Sequence, residues 1–426
     1  MILRIKNFLC LIFCVIVVGN FSSCAFWKLG KEVAILDQTA LLQGTVTGGA
    51  ARGKPVIILL YQILDKDKKL VAYSIQYTPG NFSFNRLPGR YLIAAFEDAN
   101  EDFIYQPSEK AAYFDNGTII SVISGEDISN LDLTLKNPDE VTLDEAPDLA
   151  SQATKAELDF PKVQAGEIVT LNDQRFSPDN GQLGLWEPIQ FLIAVGGGVY
   201  FLQPFDSQKI PVVFVHGAGG YPGQWNALIP RLDRARYQPW VFYYPSGLRL
   251  NMSAEFLVQA LSRIWVKHKF EKFVIIAHSV GGLISRSLVN TIVEKDVKKR
   301  LRVLFFTIST PWGGHQAAPI GVGHAPAVIP FWKDMIPNSP FQQALFQTPL
   351  SDHIDYYLFF SFKGGRHPFG HKNDDGTVSL VSQLKAEAQD AAIKTIGFNE
   401  DHDSILRSQQ ATEKIMALLT TFANRE

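Results

Sequence analysis

The 426-residue chain is poor in cysteine and methionine, with three and four. Cys10, Cys14 and Cys24 all lie in the first 24 positions, so the rest of the chain holds no disulfide and a cysteine-stapled scaffold is excluded. Long apolar runs are also scarce. Phe8 to Val18 is unbroken but spans eleven residues, short of the ~20 that a membrane-crossing helix needs. Charge of one sign is lacking: 40 Lys and Arg stand against 42 Asp and Glu, a net −2 that gives no reason to expect a nucleic-acid partner. The runs Lys66-Asp67-Lys68-Lys69 and Lys298-Lys299-Arg300 are too short to change that and read as solvated faces. Internal repeats are missing. What remains is ample apolar content, 46%, in a chain long enough for two domains.

The first 23 residues read as a secretion signal. Arg4 and Lys6 precede the apolar run, and small residues follow. The end, Phe21-Ser22-Ser23-Cys24-Ala25, is similar to a bacterial lipobox. That resemblance implies removal of residues 1–23, lipidation of Cys24 and a tether over 24–40. Several lipid chains give firm membrane anchoring, where one alone is marginal. Ala25 after the cysteine favours the outer membrane if the source is Gram-negative. The alternative is plain signal cleavage that leaves a free thiol.

The most informative residues are Ala277-His278-Ser279-Val280-Gly281-Gly282. They follow the apolar run Phe273 to Ile276 and precede a helical pattern. A serine between small residues, on a turn from a buried strand into a helix, has its hydroxyl pushed clear of the backbone. Taken alone, Ser279 could equally be a helix cap. Three further segments favour a nucleophile. Upstream, the buried-strand pattern Ile210 to Val215 ends in His216-Gly217-Ala218-Gly219-Gly220. Acyl transfer needs backbone N–H donors for an oxyanion, and Ala218 and Val280 are the candidates. Downstream, Leu358 to Phe362 reads as a strand leading to Asn373-Asp374-Asp375-Gly376. An acid there can orient an imidazole, with Asp375 preferred to Asp374. His402, after the strand-like Ile393 to Ile396, is the general base. His278 adjoins Ser279 and should point away from it. His216 is expected to be structural, and the remaining histidines precede the acid.

The order Ser279, Asp375, His402 is that of the α/β-hydrolases. From about Ile210 onward the chain resembles that superfamily, its lipase and esterase branch in particular. Val215 to Gly220 looks like its oxyanion loop, Ala277 to Gly281 like its nucleophile elbow. Ser309-Thr310-Pro311-Trp312-Gly313-Gly314 is similar to a segment common in lipases. The one departure is Ala277, where glycine is usual. The resemblance implies an α/β fold, a mostly parallel sheet with helices on both faces, over 168–426. It also implies a carboxylic ester hydrolase that needs no cofactor, and the lipid anchor with the apolar residues at 315–356 suggests a lipid-like or small ester as substrate. A thioesterase or acyltransferase would use the same residues. A surface-binding lipoprotein that has kept the fold without catalysis is the rival. Apolar residues at 315–356 are either a cap over Ser279 or extra core packing.

Residues 41–136 carry short alternating strands separated by Gly48-Gly49, Pro79-Gly80 and Pro88-Gly89. They predict a small β-sandwich and resemble prealbumin-like domains. Within it, Asp98, Asn100, Asp102 and Glu109 match positions 1, 3, 5 and 12 of a calcium loop. Phe103 stands where that loop wants glycine, so an acidic hairpin loop is the competing reading. Residues 137–167 read as a linker with one short helix at Leu149 to Leu158. Phe191 to Phe201 reads as an extra strand.

Overall fold

The computed structural model describes residues 23–48, 54–65, 67–76, 80–144, 149, 163–295, 301–364 and 373–425. The signal segment 1–22 and nearly all of the helix expected at 149–158 lie outside them.

The described residues begin with helix α1 (Ser23–Leu36), then enter a sandwich. One sheet joins β1 (Ala40–Thr47), β4 (Gly80–Arg86) and β8 (Leu133–Thr134) in the order β4-β1-β8. The other joins β2 (Val56–Leu64), β3 (Asp67–Gln76), β5 (Gly89–Glu97) and β6 (Ala111–Tyr113) as β3-β2-β5-β6, and β7 (Ile120–Val122) pairs with β5. Leu42, Val46, Ile58, Leu60, Phe82, Phe84 and Ile93 fill the space between the sheets. The apolar run at Val56 to Tyr61 does not alternate because β2 is covered on both faces. Its other face meets Phe96, Phe103, Tyr105, Leu143 and Leu149.

The second domain is built on an eight-stranded sheet. Its strands are β9 (Val163–Ile168), β10 (Gly197–Phe201), β11 (Ile210–Val215), β12 (Tyr237–Tyr243), β13 (Lys272–His278), β14 (Arg302–Ile308), β15 (Ile354–Ser361) and β16 (Lys394–Phe398). They lie in the order β9-β10-β12-β11-β13-β14-β15-β16. From β12 to β16 every neighbouring pair is parallel, while β10 runs antiparallel to β12. Parallel neighbours need crossovers, and α4 (Leu250–His268) and α5 (Val280–Lys295) provide two of them. The strand interiors are nearly continuous Val, Ile and Phe with exposures of 0–1% at Val212 to Val215 and Phe273 to Ala277, as a sheet covered on both faces requires.

Three sequence expectations change. The linker 137–167 contributes β9, an edge strand whose Gln, Gly and Glu content hid it. Phe191 to Phe201 is a helix and a strand rather than one strand: α2 (Pro178–Trp186) is followed by α3 (Pro188–Ala194), then β10. Pro188 opens α3, and the Glu32 carboxylate of α1 accepts its free Ile189 and Gln190 N–H groups, a cap supplied from 157 residues away. Residues 24–40 are mostly α1, which packs Leu29 into the core of the second domain and Phe26 edge-on against Trp186 at 5.7 Å.

In the segment 315–356, α6 (Ala318–His324), α7 (Phe331–Asp334) and α8 (Pro340–Leu345) bury Ile329, Phe331, Met335 and Leu345 in the main core. Asp334, 1% exposed, binds Arg249 in a fork and accepts the Leu250 N–H. Core packing therefore accounts for these apolar residues. Two short helices, α9 (Leu380–Gln383) and α10 (Ala386–Asp390), precede β16, and α11 (Gln409–Ala423) closes the chain.

Candidate active site

Parallel strands end together at one edge of a sheet, and ligands of open α/β sheets bind in the crevice outside their carboxyl ends. Here β11 delivers the glycine-rich loop, β13 delivers Ser279, and the loops after β15 and β16 deliver Asp375 and His402.

Ser279 sits between β13 and α5 with φ +55°, a left-handed conformation rare for a side-chain-bearing residue. Its N–H donates to Ile308 O at 2.9 Å, and its own carbonyl accepts from Gly282 N at 3.0 Å. The turn exists only because its neighbours are small. A Cβ on Gly217 would meet Ser279 Cβ at 2.7 Å, and one on Gly281 would meet His216 O at 2.5 Å. Strain of this kind is held by its surroundings and marks functional turns.

The three residues separated by up to 123 positions meet. Ser279 Oγ lies 3.0 Å from His402 Nε2, and His402 Nδ1 lies 2.8 Å from Asp375 Oδ2. With Nδ1–H donating to the carboxylate, Nε2 is left as an acceptor for the serine proton. Asp375 is fully buried, while Ser279 and His402 are each 8% exposed. Burial alone would push the Asp375 carboxyl up. The His402 hydrogen bond and charge, with the Val378 N–H and the Ser361 hydroxyl, outweigh it and hold the group below the usual carboxylate range.

Asp374, the alternative acid, points elsewhere and accepts the Gly376 N–H at 3.0 Å.

Two residues that sequence reasoning missed support the acid. Ser361 donates to Asp375 Oδ2 at 2.8 Å and itself accepts from Ser309 Oγ at 2.6 Å. Gln383 Nε2 donates to the same oxygen at 3.0 Å. Asp375 Oδ1 takes the backbone N–H groups of Thr377 and Val378 at 3.0 and 2.7 Å. The available signal for Ser361 was a lone hydroxyl in the apolar strand Leu358 to Phe362.

Two amides of the glycine-rich loop are spent within the protein. Gly219 N–H donates to Ser246 Oγ at 2.8 Å and Gly220 N–H to Gly217 O at 3.1 Å. Among the described residues, nothing accepts the N–H of Ala218 or of Val280. Two unspent amides beside the elbow are what an oxyanion requires.

Two of the other histidines, His216 and His278, lie buried beside the site. His216 is buried, stacks on Tyr244 at 4.3 Å and faces Gly217 O through Nδ1. Burial pushes it down to about 4. His278 turns away from Ser279 and sets Nε2 2.8 Å from the carbonyl of His402. Burial, then the neighbouring His402 charge, takes it down to about 3, so it is neutral and donates. The His402 peptide is thus held at both ends, because its N–H donates to Asp375 O at 2.9 Å.

The calcium candidates lie together in the loop between β5 and β6, where their oxygens accept hydrogen bonds from the loop itself. Asp98 accepts the Asp102 and Phe103 N–H groups, and Glu109 accepts those of Ala99 and Gln106. Asp102 accepts from Ile104 N, Asn100 Nδ2 and Gln106 Nε2. Among the described residues no group of three or more His, Cys, Asp or Glu could hold a metal ion. Phe103 takes φ +64° where a calcium loop wants glycine, and it packs on Trp265 at 6.1 Å.

Strand order, elbow and loop placement together decide the architecture. The fold is that of the α/β-hydrolases.

Residues 251–328 match the family model described as "Putative serine esterase (DUF676)". Among solved structures, the chain is similar to the lin2722 gene product of Listeria innocua, at 14% identity over 50% of this chain and 94% of that one, TM-score 0.37. It is similar to lipase B of Aspergillus fumigatus at 15% identity, over 52% of this chain and 55% of that one, TM-score 0.39. It is also similar to a carboxylesterase of the thaumarchaeon Nitrososphaera gargenis at 13% identity, over 53% and 94%, TM-score 0.34. No curated protein matches the chain.

Proposed function

We propose that the protein is an exported, membrane-anchored hydrolase that cleaves carboxylic esters through Ser279, His402 and Asp375. The observation that carries this reading is the unbroken hydrogen-bond line from Ser279 Oγ through the imidazole to a buried carboxylate. In the proposed reaction His402 takes the Ser279 proton as the oxygen attacks the ester carbonyl. The Ala218 and Val280 N–H groups receive the oxyanion. Collapse breaks the C–O bond, and His402 returns the proton to the leaving alcohol. Water, deprotonated by His402, then releases the acid from the acyl-enzyme. Asp375 keeps the imidazole in the Nδ1–H tautomer and stabilises its cation throughout. The chemistry uses protein groups and water alone. The lipobox-like Cys24 supports attachment to a membrane and hence a lipid-like ester as substrate.

A fluorophosphonate probe tests the reading. The parent protein is expected to label stoichiometrically and Ser279→Ala not at all. Folded parent protein that resists the probe would refute it and favour the binding lipoprotein.

A further inference from the structure

Helix α1 has two faces of different character. Leu29 and Glu32 point inward, 0% and 9% exposed, against α2 and α3. The outward stripe is Trp27, Lys28, Lys31, Ala34 and Ile35, spaced by three and four as one helical face must be. Trp27 is 63% exposed and Ile35 40%. Lys31 Nζ lies 3.6 Å over the Trp27 ring, and Lys28 pairs with Glu187 at the edge. Residue 24 falls three positions before Trp27 and seven before Lys31, so the backbone puts the lipidation candidate on the same stripe.

Tryptophan, lysine and an aliphatic residue on one exposed face suit the boundary between headgroups and acyl chains. Lysines there are attracted to anionic lipid, and the stripe itself carries no carboxylate. The helix is also fixed to the hydrolase domain. Glu32 caps α3, and α2 touches the oxyanion loop, where a Cβ on Gly181 would meet Gly219 O at 2.7 Å. Gln182 Nε2 donates to the same Gly219 carbonyl.

We propose that the outward stripe of α1 lies on the surface of an anionic lipid bilayer, so that the hydrolase domain rather than the sandwich is the membrane-proximal part and its oxyanion-loop side sits one helix layer from the lipid. The proposal rests on the anchoring at Cys24 put forward above. It goes further by naming the surface and its partner: anchoring through a free tether would leave α1 in water.

Tryptophan fluorescence reads this directly. All seven tryptophans lie in described residues, and Trp27 alone is exposed. The full-length protein is reconstituted in vesicles of phosphatidylethanolamine and phosphatidylglycerol carrying brominated acyl chains. The parent is expected to lose about one seventh of its tryptophan emission relative to unbrominated vesicles, and Trp27→Phe to lose almost none. Equal quenching in the two would overturn the proposal. Palmitate incorporation, abolished in Cys24→Ser, reads the anchor separately. If the cell adds no lipid, the protein lacking residues 1–23 is coupled through Cys24 to a maleimide phospholipid and the same comparison decides. Hydrolysis of p-nitrophenyl acetate in each sample shows whether the hydrolase reading itself holds.

Discussion

Replacing Asp375 by asparagine changes one atom and tests the whole site. In the native arrangement Oδ1 accepts two backbone N–H groups, and Oδ2 accepts from Ser361, Gln383 and His402. The amide oxygen must keep the Oδ1 position, since an NH2 there would face two donors. The NH2 therefore falls at Oδ2, opposite the Gln383 amide and His402 Nδ1. Donating to Nδ1 forces the proton onto Nε2, and the imidazole then cannot accept from Ser279. The wrong tautomer is expected to cost ~10⁴ in kcat, or ~5.4 kcal/mol of transition-state stabilisation. The displaced Gln383 donor adds ~1–3 kcal/mol of lost stability. The assay is kcat on p-nitrophenyl butyrate, with folding followed by circular dichroism and Asp374→Asn as the control, which should stay within about threefold. A folded Asp375→Asn enzyme keeping more than about one tenth of its activity, or an equal fall in Asp374→Asn, would refute the assignment.

Two other predictions concern the histidines. His278→Phe removes the donor to the His402 carbonyl and should lower kcat by roughly tenfold, with KM unchanged, because one buried hydrogen bond is worth ~1–2 kcal/mol. His278→Gln can still donate and should recover most of it; equal rates for the two variants would refute a positioning role. His216 and His278 titrate near 4 and 3 when folded and near ~6.5 when unfolded, so the unfolded chain binds more protons in between. Stability should fall as pH drops from 6.5 toward 4, by at most roughly 2 kcal/mol per group between pH 7 and 5, and should gain nothing from these groups above 6.5. A urea midpoint that is unchanged or higher at pH 5 would contradict this.

The parallel core was legible in the sequence because its strands are buried on both faces and read as unbroken apolar runs. The elbow and the glycine-rich loop were legible because close backbone approach demands small residues. The order of serine, acid and base followed from where those strands end. Elements stabilised from a distance were not legible. α3 depends on a carboxylate 157 residues away, β9 is an edge strand with polar composition, and Ser361 and Gln383 matter only because Asp375 folds back onto them. Between β11 and β12 the chain closes as two short 3-10 turns, Pro222–Trp225 and Ile229–Arg231, each with a proline near its first position.

The aromatic wedge of Phe103 has a consequence for the two halves of the molecule. Its ring meets Trp265 of α4, the Lys269 ammonium lies 4.9 Å above it and also donates to Glu101 O, and Val266 joins the sandwich's outer cluster. Asn85 reaches Glu255 across the same seam. An amino-terminal module bonded this way braces α4 through contacts on both sides of the seam. It works as a splint, lending stiffness to the long helix on which the catalytic sheet leans.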